Sequence, residues 1–397
     1  MSVWDSLVGQ DRAVAELRRA VAEAHADASH ASTSAMTHAW LIIGPPGSGR
    51  SVVAVAFAAA LVCPDGGCGV CRSCRNVTAG LHSDVTVVRP AGVIMGVDQT
   101  RNLVGRIGVM PVRSDWNVIV IEDADRLNEH ADNALLKSLE EPPPHGVWVL
   151  CAPSVDDVLP TIRSRCRVVR LRTPPIAEVA AYLHETAGVD PAVAAYAARS
   201  AQGHIGRARA LALDEDVRLR HQNVLHFPAR LGSVAECLSA AADLVADAKA
   251  QVAATADPLD SAEAAELLRS YGDGGTGAGS ARSRASAPMK DLEREQRNRR
   301  RRLLRDELDR VLLDLLGLYR DVLAVSTGAC VELINAEARS AIEHLVATSD
   351  TPAVVHRLDA ITHARGALAA DGSEDLVFAE LALALQRAGH RRVHRVP

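Results

Sequence analysis

Five short runs of apolar, largely β-branched residues mark the first half of the chain: WLII from Trp40, DVTVV from Asp84, NVIVI from Asn117, VWVLCA from Val147 and RVVRL from Arg167. Helical patterns or loops separate them. Short strands alternating with helices predict an α/β domain with a five-stranded parallel sheet over residues 1–175. After Thr173-Pro174-Pro175 the pattern changes to Ala- and Leu-rich helical stretches without a convincing strand. Gly203 and Gly206 in AQGHIGRARAL predict a break between short helices, so 176–212 reads as a small helical unit and 213–397 as an all-helical bundle. Within the bundle, SYGDGGTGAGSARSRASAP has the composition of a flexible insertion at about 270–290. A long helix follows, its apolar stripe set by Leu304, Leu308, Val311, Leu315, Tyr319 and Val322 at three- and four-residue steps.

Composition sharpens this picture. A chain of 397 residues exceeds one ordinary core and predicts two or three domains. Aromatic residues make up only 3%, so the cores must be built from Ala, Val and Leu, which favours helices and buried parallel strands over an all-β sandwich. The formal net charge of -5 excludes the overall basic footprint of a dedicated DNA-binding domain. One local run, RNRRRR at 297–302, reads either as a solvated helix end or as a phosphate-contacting patch. The N-terminus shows no signal pattern, and the longest apolar run, 52–62, is too short to span a bilayer. The expectation is a cytoplasmic protein with no membrane partner.

Four constellations carry candidate chemistry. In GPPGSGRS, Gly44, Gly47 and Gly49 let backbone N–H groups converge on an anion at a helix N-terminus, and Ser51 is the residue type that holds Mg²⁺. Arg50 stands where a phosphate-binding loop carries lysine, and its planar fork is bulkier than an ammonium. ATP with Mg²⁺ is therefore a possible ligand, with turnover doubtful. The strand NVIVI ends in Glu122 then Asp123, where the usual order delivers Asp to the metal and Glu to the attacking water; a displacement of about an ångström matters to catalysis. These acids could instead only end the strand and cap the next helix.

Third, Cys63, Cys68, Cys71 and Cys74 in CPDGGCGVCRSC form two C-x-x-C steps sharing Cys71, the spacing of a tetrahedral thiolate site, and predict a structural Zn²⁺. Disulfides are the competing reading, disfavoured in a reducing compartment. Fourth, residues 133–166 read as a helix stopped by three prolines, a strand, and a short helix ending in Arg163, Ser164, Arg165 and Cys166. An arginine at such a terminus could reach a neighbouring subunit's γ-phosphate, or merely cap its own helix.

The segment NALLKSLEEPP followed by SRC, with LVGQDRAV near the start and the cysteine knuckles, resembles the clamp-loader branch of the AAA+ superfamily, the bacterial DNA polymerase III clamp-loader subunits. The resemblance covers residues 1 to about 212; beyond it the match is only to an all-helical collar. It implies a P-loop AAA+ domain with an inserted zinc module at 63–74, a helical lid and a collar that joins subunits. It implies as partners the hydrolysing motor subunits gamma or tau, the delta subunit, the sliding clamp and primer-template DNA within the complex. This sequence departs from a motor subunit at Arg50, at Glu122 with Asp123, and at Gly206, where a lid arginine is expected and Arg207 is only adjacent. APS after the 147–152 strand lacks the expected threonine pair. Arg165 in SRC resembles an arginine finger acting in trans. The resemblance therefore implies a subunit without independent catalysis that lends Arg165 to a neighbour. Competing readings are a motor ATPase of the same complex, an unrelated zinc-bearing P-loop nucleotide enzyme, and a DNA-binding module using the 297–302 run.

Overall fold

The computed structural model describes residues 2–26, 35–88, 95–127, 129–272 and 286–390. It separates into two compact units, Met1–Leu213 and Asp214–Pro397.

In the first unit the five apolar runs form β1 (Ala39–Ile43), β2 (Val85–Val88), β3 (Asn117–Ile121), β4 (Gly146–Ala152) and β5 (Arg167–Arg170), joined in one sheet of order β2-β3-β4-β1-β5. Every pairing is parallel. Side chains alternate between two cores, as the pleat requires. Trp40, Ile42, Val118, Val120, Val149 and Cys151 face one core, which α1 (Asp11–His25) and α2 (Arg50–Leu61) cover. Leu41, Ile43, Ile119, Ile121, Trp148 and Leu150 face the other, closed by α4 (Val97–Ile107), α5 (Glu129–Glu140) and the single turn α6 (Pro160–Arg163). The central strands β1, β3 and β4 are buried on both faces, which explains why they read as continuous apolar runs rather than as alternating ones. The short α3 (Arg72–Thr78) continues the cysteine segment. Three further helices, α7 (Ile176–Ala187), α8 (Pro191–Ser200) and α9 (Ile205–Leu213), complete the unit.

Asp84, just before β2, anchors the α4–β3 connection. Its carboxylate is 3% exposed and accepts from the backbone N–H of Val112 (2.9 Å), Arg113 (2.7 Å) and Ser114 (2.9 Å) and from the Ser114 hydroxyl (3.1 Å). Burial opposes its ionisation, but these N–H groups, with the hydroxyls of Ser83 and Ser114, outweigh burial and bring the carboxyl down to about 2. A depressed folded value means the stabilisation is present above the unfolded value of about 3.9 and is lost as pH falls from there through about 2. Asp84→Asn is expected to cost about 2–3 kcal/mol at neutral pH, because a neutral amide cannot accept from three N–H groups. Urea titrations of both proteins check this: the variant should also lose less stability than wild type between about pH 4 and pH 2.

The second unit is all helical among the described residues: α10 (Glu215–Leu225), α11 (Val234–Gly272), α12 (Ser286–Thr327), α13 (Arg339–Thr348), α14 (Thr351–Ala369) and α15 (Glu374–His390). Leu308, Leu312, Leu315, Tyr319 and Val322 of α12 form the centre of its core, against Leu244 and Val245 of α11, Ile361 of α14 and Phe378 of α15. The expected stripe thus faces inward, with Leu304 and Val311 on its margin.

The segment 297–302 departs from expectation. Helix α12 begins at Ser286, so the run lies inside a helix and not at its start. Arg299 donates in a fork to Glu263 (2.8 and 2.6 Å) and also to Asp260, while Arg300 meets Asp260 (2.6 Å) and Asp257 (2.7 Å). The run reads as free positive charge in one dimension; in three, an acidic stretch of α11 with its carboxylates three residues apart already faces it. The two sides reinforce each other. Burial opposes ionisation of Asp260, but Arg299 and Arg300 hold its carboxyl below the usual range. Most of the expected insertion, 273–285, lies outside the described residues.

Candidate functional site

The loop after β1 carries the phosphate-cradle geometry. Gly47 and Gly49 have φ of +85° and +89°, left-handed values that favour glycine, and Gly49 leads directly into α2. A Cβ at Gly47 would lie 2.5 Å from the Cβ and Cγ of His204. The loop is therefore roofed by the α8–α9 connection, where His204 Nδ1 accepts the backbone N–H of Arg207 (3.2 Å) and so caps α9. Gln10, in the LVGQDRAV segment, ties this region together: its amide donates to the Ser48 and Arg172 carbonyls, and its oxygen accepts from the Arg172 N–H.

The cation of the loop does not point outward. The Arg50 guanidinium donates to the carbonyl of Gly44, the first residue of the same loop. Arg50 is thus turned back onto the first residue of its own loop. The hydroxyl of Ser48 is buried there with no protein partner among the described residues. At the end of β3, Glu122 is buried and Asp123 is half-buried, 3.9 Å from the Arg126 guanidinium. A third acid, Asp125, lies close enough to Arg50 and Asp123 to feel their charge. Burial pushes its carboxyl up, and one of its oxygens has no partner among the described residues.

Arg165 stands on the turn between α6 and β5, its side chain about one-third exposed. It donates to the Thr161 carbonyl (2.8 Å) and to the Ser164 hydroxyl (3.3 Å), and it pairs with Glu140 at the end of α5 (2.5 Å). Arg163 is separately engaged with Asp156 at 3.4 Å. Burial pushes the neighbouring Cys166 thiol up to about 12, so at neutral pH it is a packing group rather than a nucleophile. The turn thus carries a partly exposed guanidinium held by one carbonyl, one hydroxyl and one carboxylate.

The four cysteines converge. All four sulfurs lie within 4.8 Å of one another, with Cys63 Sγ 3.7 Å from both Cys68 Sγ and Cys71 Sγ. A disulfide needs about 2.05 Å, whereas thiolates about 2.3 Å from a tetrahedral zinc sit about 3.8 Å apart. Backbone N–H groups point at the sulfurs: Cys68 N–H to Cys63, Cys71 N–H to Cys68 and Cys74 N–H to Cys71. The N–H groups of Val70 and then Cys71 bring the Cys68 thiol down to about 7, while burial pushes the Cys71 and Cys74 thiols up. The residues present therefore fit a zinc ion. The knuckle is anchored to the start of the chain, because Gly67, at φ +104°, leaves room for Val3 and Trp4, and the Trp4 indole donates to Gly66 O (3.1 Å).

The sequence flags every member of the loop, the strand-end acids, Arg165 and the cysteines. It does not reveal His204, Asp125 or Glu140 as neighbours of these groups. Glu140 had a signal, since it is the first acid of the LEEPP stretch; His204 and Asp125 had only proximity that the fold creates.

The strand order, the glycine loop entering α2 and the acids closing β3 define an α/β module of phosphate-loop type followed by a helical unit. Residues 24–175 match the family described as DNA polymerase III, delta subunit. Over 135 residues the chain is 41% identical to DNA polymerase III subunit delta' of Pseudomonas aeruginosa, covering 32% of this chain and 41% of that one. It is 38% identical over 135 residues to subunit gamma/tau of Mycobacterium tuberculosis, covering 33% of this chain and 23% of that one. A crystal structure of a gamma subunit-related protein from Thermotoga maritima spans 88% of this chain and 94% of its own, at 18% identity and a TM-score of 0.42. By these matches residues 24–175 are similar to subunits of DNA polymerase III. The alignments span less than half the length of the curated relatives.

Proposed function

We propose that this chain acts in a DNA polymerase III clamp loader in the manner of a delta-prime subunit, lending Arg165 to the ATP of an adjacent motor subunit while its own cradle stays closed. The observation that carries this reading is the contrast between two arginines. Arg50 is turned onto Gly44 within its own loop, whereas Arg165 stands on a surface turn, about one-third exposed, with Glu140, Thr161 and Ser164 as its contacts. Positive charge delivered at a γ-phosphate stabilises the transition state of phosphoryl transfer wherever it originates. Such a subunit has no need of its own turnover.

On this reading the partners are gamma or tau, delta, the sliding clamp and primer-template DNA, and the setting is the cytoplasm. No helix of the described residues is long and apolar enough to cross a membrane. Residues 176–212 act as a lid over the idle loop and 213–397 as the collar. Cys63, Cys68, Cys71 and Cys74 hold a Zn²⁺ that cross-links the segment before α3, with no ligand position left over for catalysis. Should Gly44, Gly47, Gly49 and Ser51 admit ATP and Mg²⁺, Arg50 must first leave Gly44.

The test is turnover in parts and in the whole. The isolated chain, given clamp and primed DNA, is expected to hydrolyse no ATP above background, and adding it to motor and delta subunits is expected to raise their turnover. Robust hydrolysis by the isolated chain would make it a motor instead. A failure to co-purify with those subunits would remove the reading altogether.

A further inference from the structure

The helical unit contains a cavity of about 310 Å³ with a buried arginine in its wall. Leu225, Leu231 and Leu345 give it apolar surface, and His226, His344 and Tyr319 also line it. Arg357, on α14, is only 5% exposed. Its guanidinium lies over the Tyr319 ring, 5.5 Å from the centroid. Nε donates to the Leu385 carbonyl of α15 (3.1 Å), and Nη1 donates to the buried Ser349 hydroxyl (2.6 Å). Three contacts fix the plane of the group, and none brings a negative charge.

That is unusual within this unit. The less buried Arg299, Arg305 and Arg365 each meet a carboxylate, whereas no carboxylate among the described residues pairs with Arg357. A cation taken out of water without a counter-ion is costly, and the cost falls when an anion enters beside it. The remaining nitrogen, Nη2, has no hydrogen-bond acceptor among the described residues. Folding has built a rigid cationic donor into an apolar hollow and left one flank of it unused.

We propose that this cavity is a binding site for a small organic carboxylate, its anionic head on Nη2 of Arg357 and its apolar body between Leu225, Leu231 and Leu345. The volume is at the lower end for ligand pockets, about 300 Å³, which limits the body to a few carbons or one ring. Nε and Nη1 each already donate one hydrogen bond, Nη2 is the nitrogen without a partner, and apolar walls disfavour a dianion. A monoanionic carboxylate satisfies both constraints. The site is independent of the Arg165 reading, because it lies wholly within the second unit.

Benzoate, its neutral isostere benzamide and inorganic phosphate serve as probes on the full-length chain, read by calorimetry and by the thermal midpoint. Benzoate is expected to bind saturably with a Kd of roughly millimolar or tighter, and to raise the midpoint. Arg357→Met should weaken it by roughly tenfold or more. Ala341→Phe, which narrows the cavity from α13 and keeps Arg357, should abolish binding in a folded protein and decides the matter if the arginine variant does not fold. The proposal is overturned if benzoate shows no saturable binding, if benzamide binds equally well, if phosphate displaces benzoate at equal concentration, or if either variant binds benzoate as wild type does.

Discussion

Replacing Arg165 by alanine in an assembled loader is expected to slow hydrolysis at the adjoining subunit's ATP about 10³-fold, the lower bound for an arginine finger. The side chain is surface-placed, and its protein contacts are one carbonyl, one hydroxyl and the exposed carboxylate of Glu140. Exposed pairs of this kind contribute about 1 kcal/mol or less to stability, so the fold should survive the substitution with its circular dichroism and zinc content unchanged. The measurement is single-turnover ATP hydrolysis in a complex whose only competent site adjoins this chain. Arg165→Lys should recover part of the loss through charge while lacking the planar fork. Glu140→Gln separates the pair from the chemistry, because it frees the guanidinium and should leave turnover intact or raised. Undiminished hydrolysis with alanine at 165 would mean that the corner serves only its own helix turn.

The second large effect is expected from the metal. Purified without chelator, the protein should carry one zinc per chain, with zinc–sulfur distances of about 2.3 Å by X-ray absorption. Structural zinc in small domains contributes on the order of 10 kcal/mol of folding free energy. Here the segment has further anchors, because Val3, Trp4 and Ala60 pack around Gly67. Stripping the ion is nevertheless expected to lower the unfolding midpoint by roughly 10 °C or more. Cys74→Ser, at a buried position, should reproduce the loss. Limited proteolysis should then cut between Cys63 and Cys74 before any site in the sheet. A chain that purifies without zinc and melts at the same temperature with chelator would show that the four thiols merely pack.

Much of this was legible in one dimension, for a physical reason. The central strands β1, β3 and β4 are buried throughout, so each appears as a nearly unbroken apolar run, and the glycine loop and the cysteine knuckles are local motifs whose geometry follows from spacing. What escaped depends on contacts distant along the chain. His204 belongs to the site because the α8–α9 connection folds back over Gly47, and nothing near His204 in sequence announces it. The arginines at 299 and 300 looked like free charge because their acids sit on another helix. Arg357 looked like any arginine in an Ala- and Leu-rich helix, and only burial without a carboxylate sets it apart.

The seam between α11 and α12 has one more consequence. Its acids and bases are matched across two helices, so adding whole turns to both, between the seam and the bundle core, would carry every pair along unchanged. A single-residue insertion in either helix would swing that partner's charges about 100° around its axis and leave Asp260 facing no guanidinium. The helical hairpin thus behaves as a ruler that tolerates change only in coupled increments, and natural variation in its length should come in steps shared by both arms.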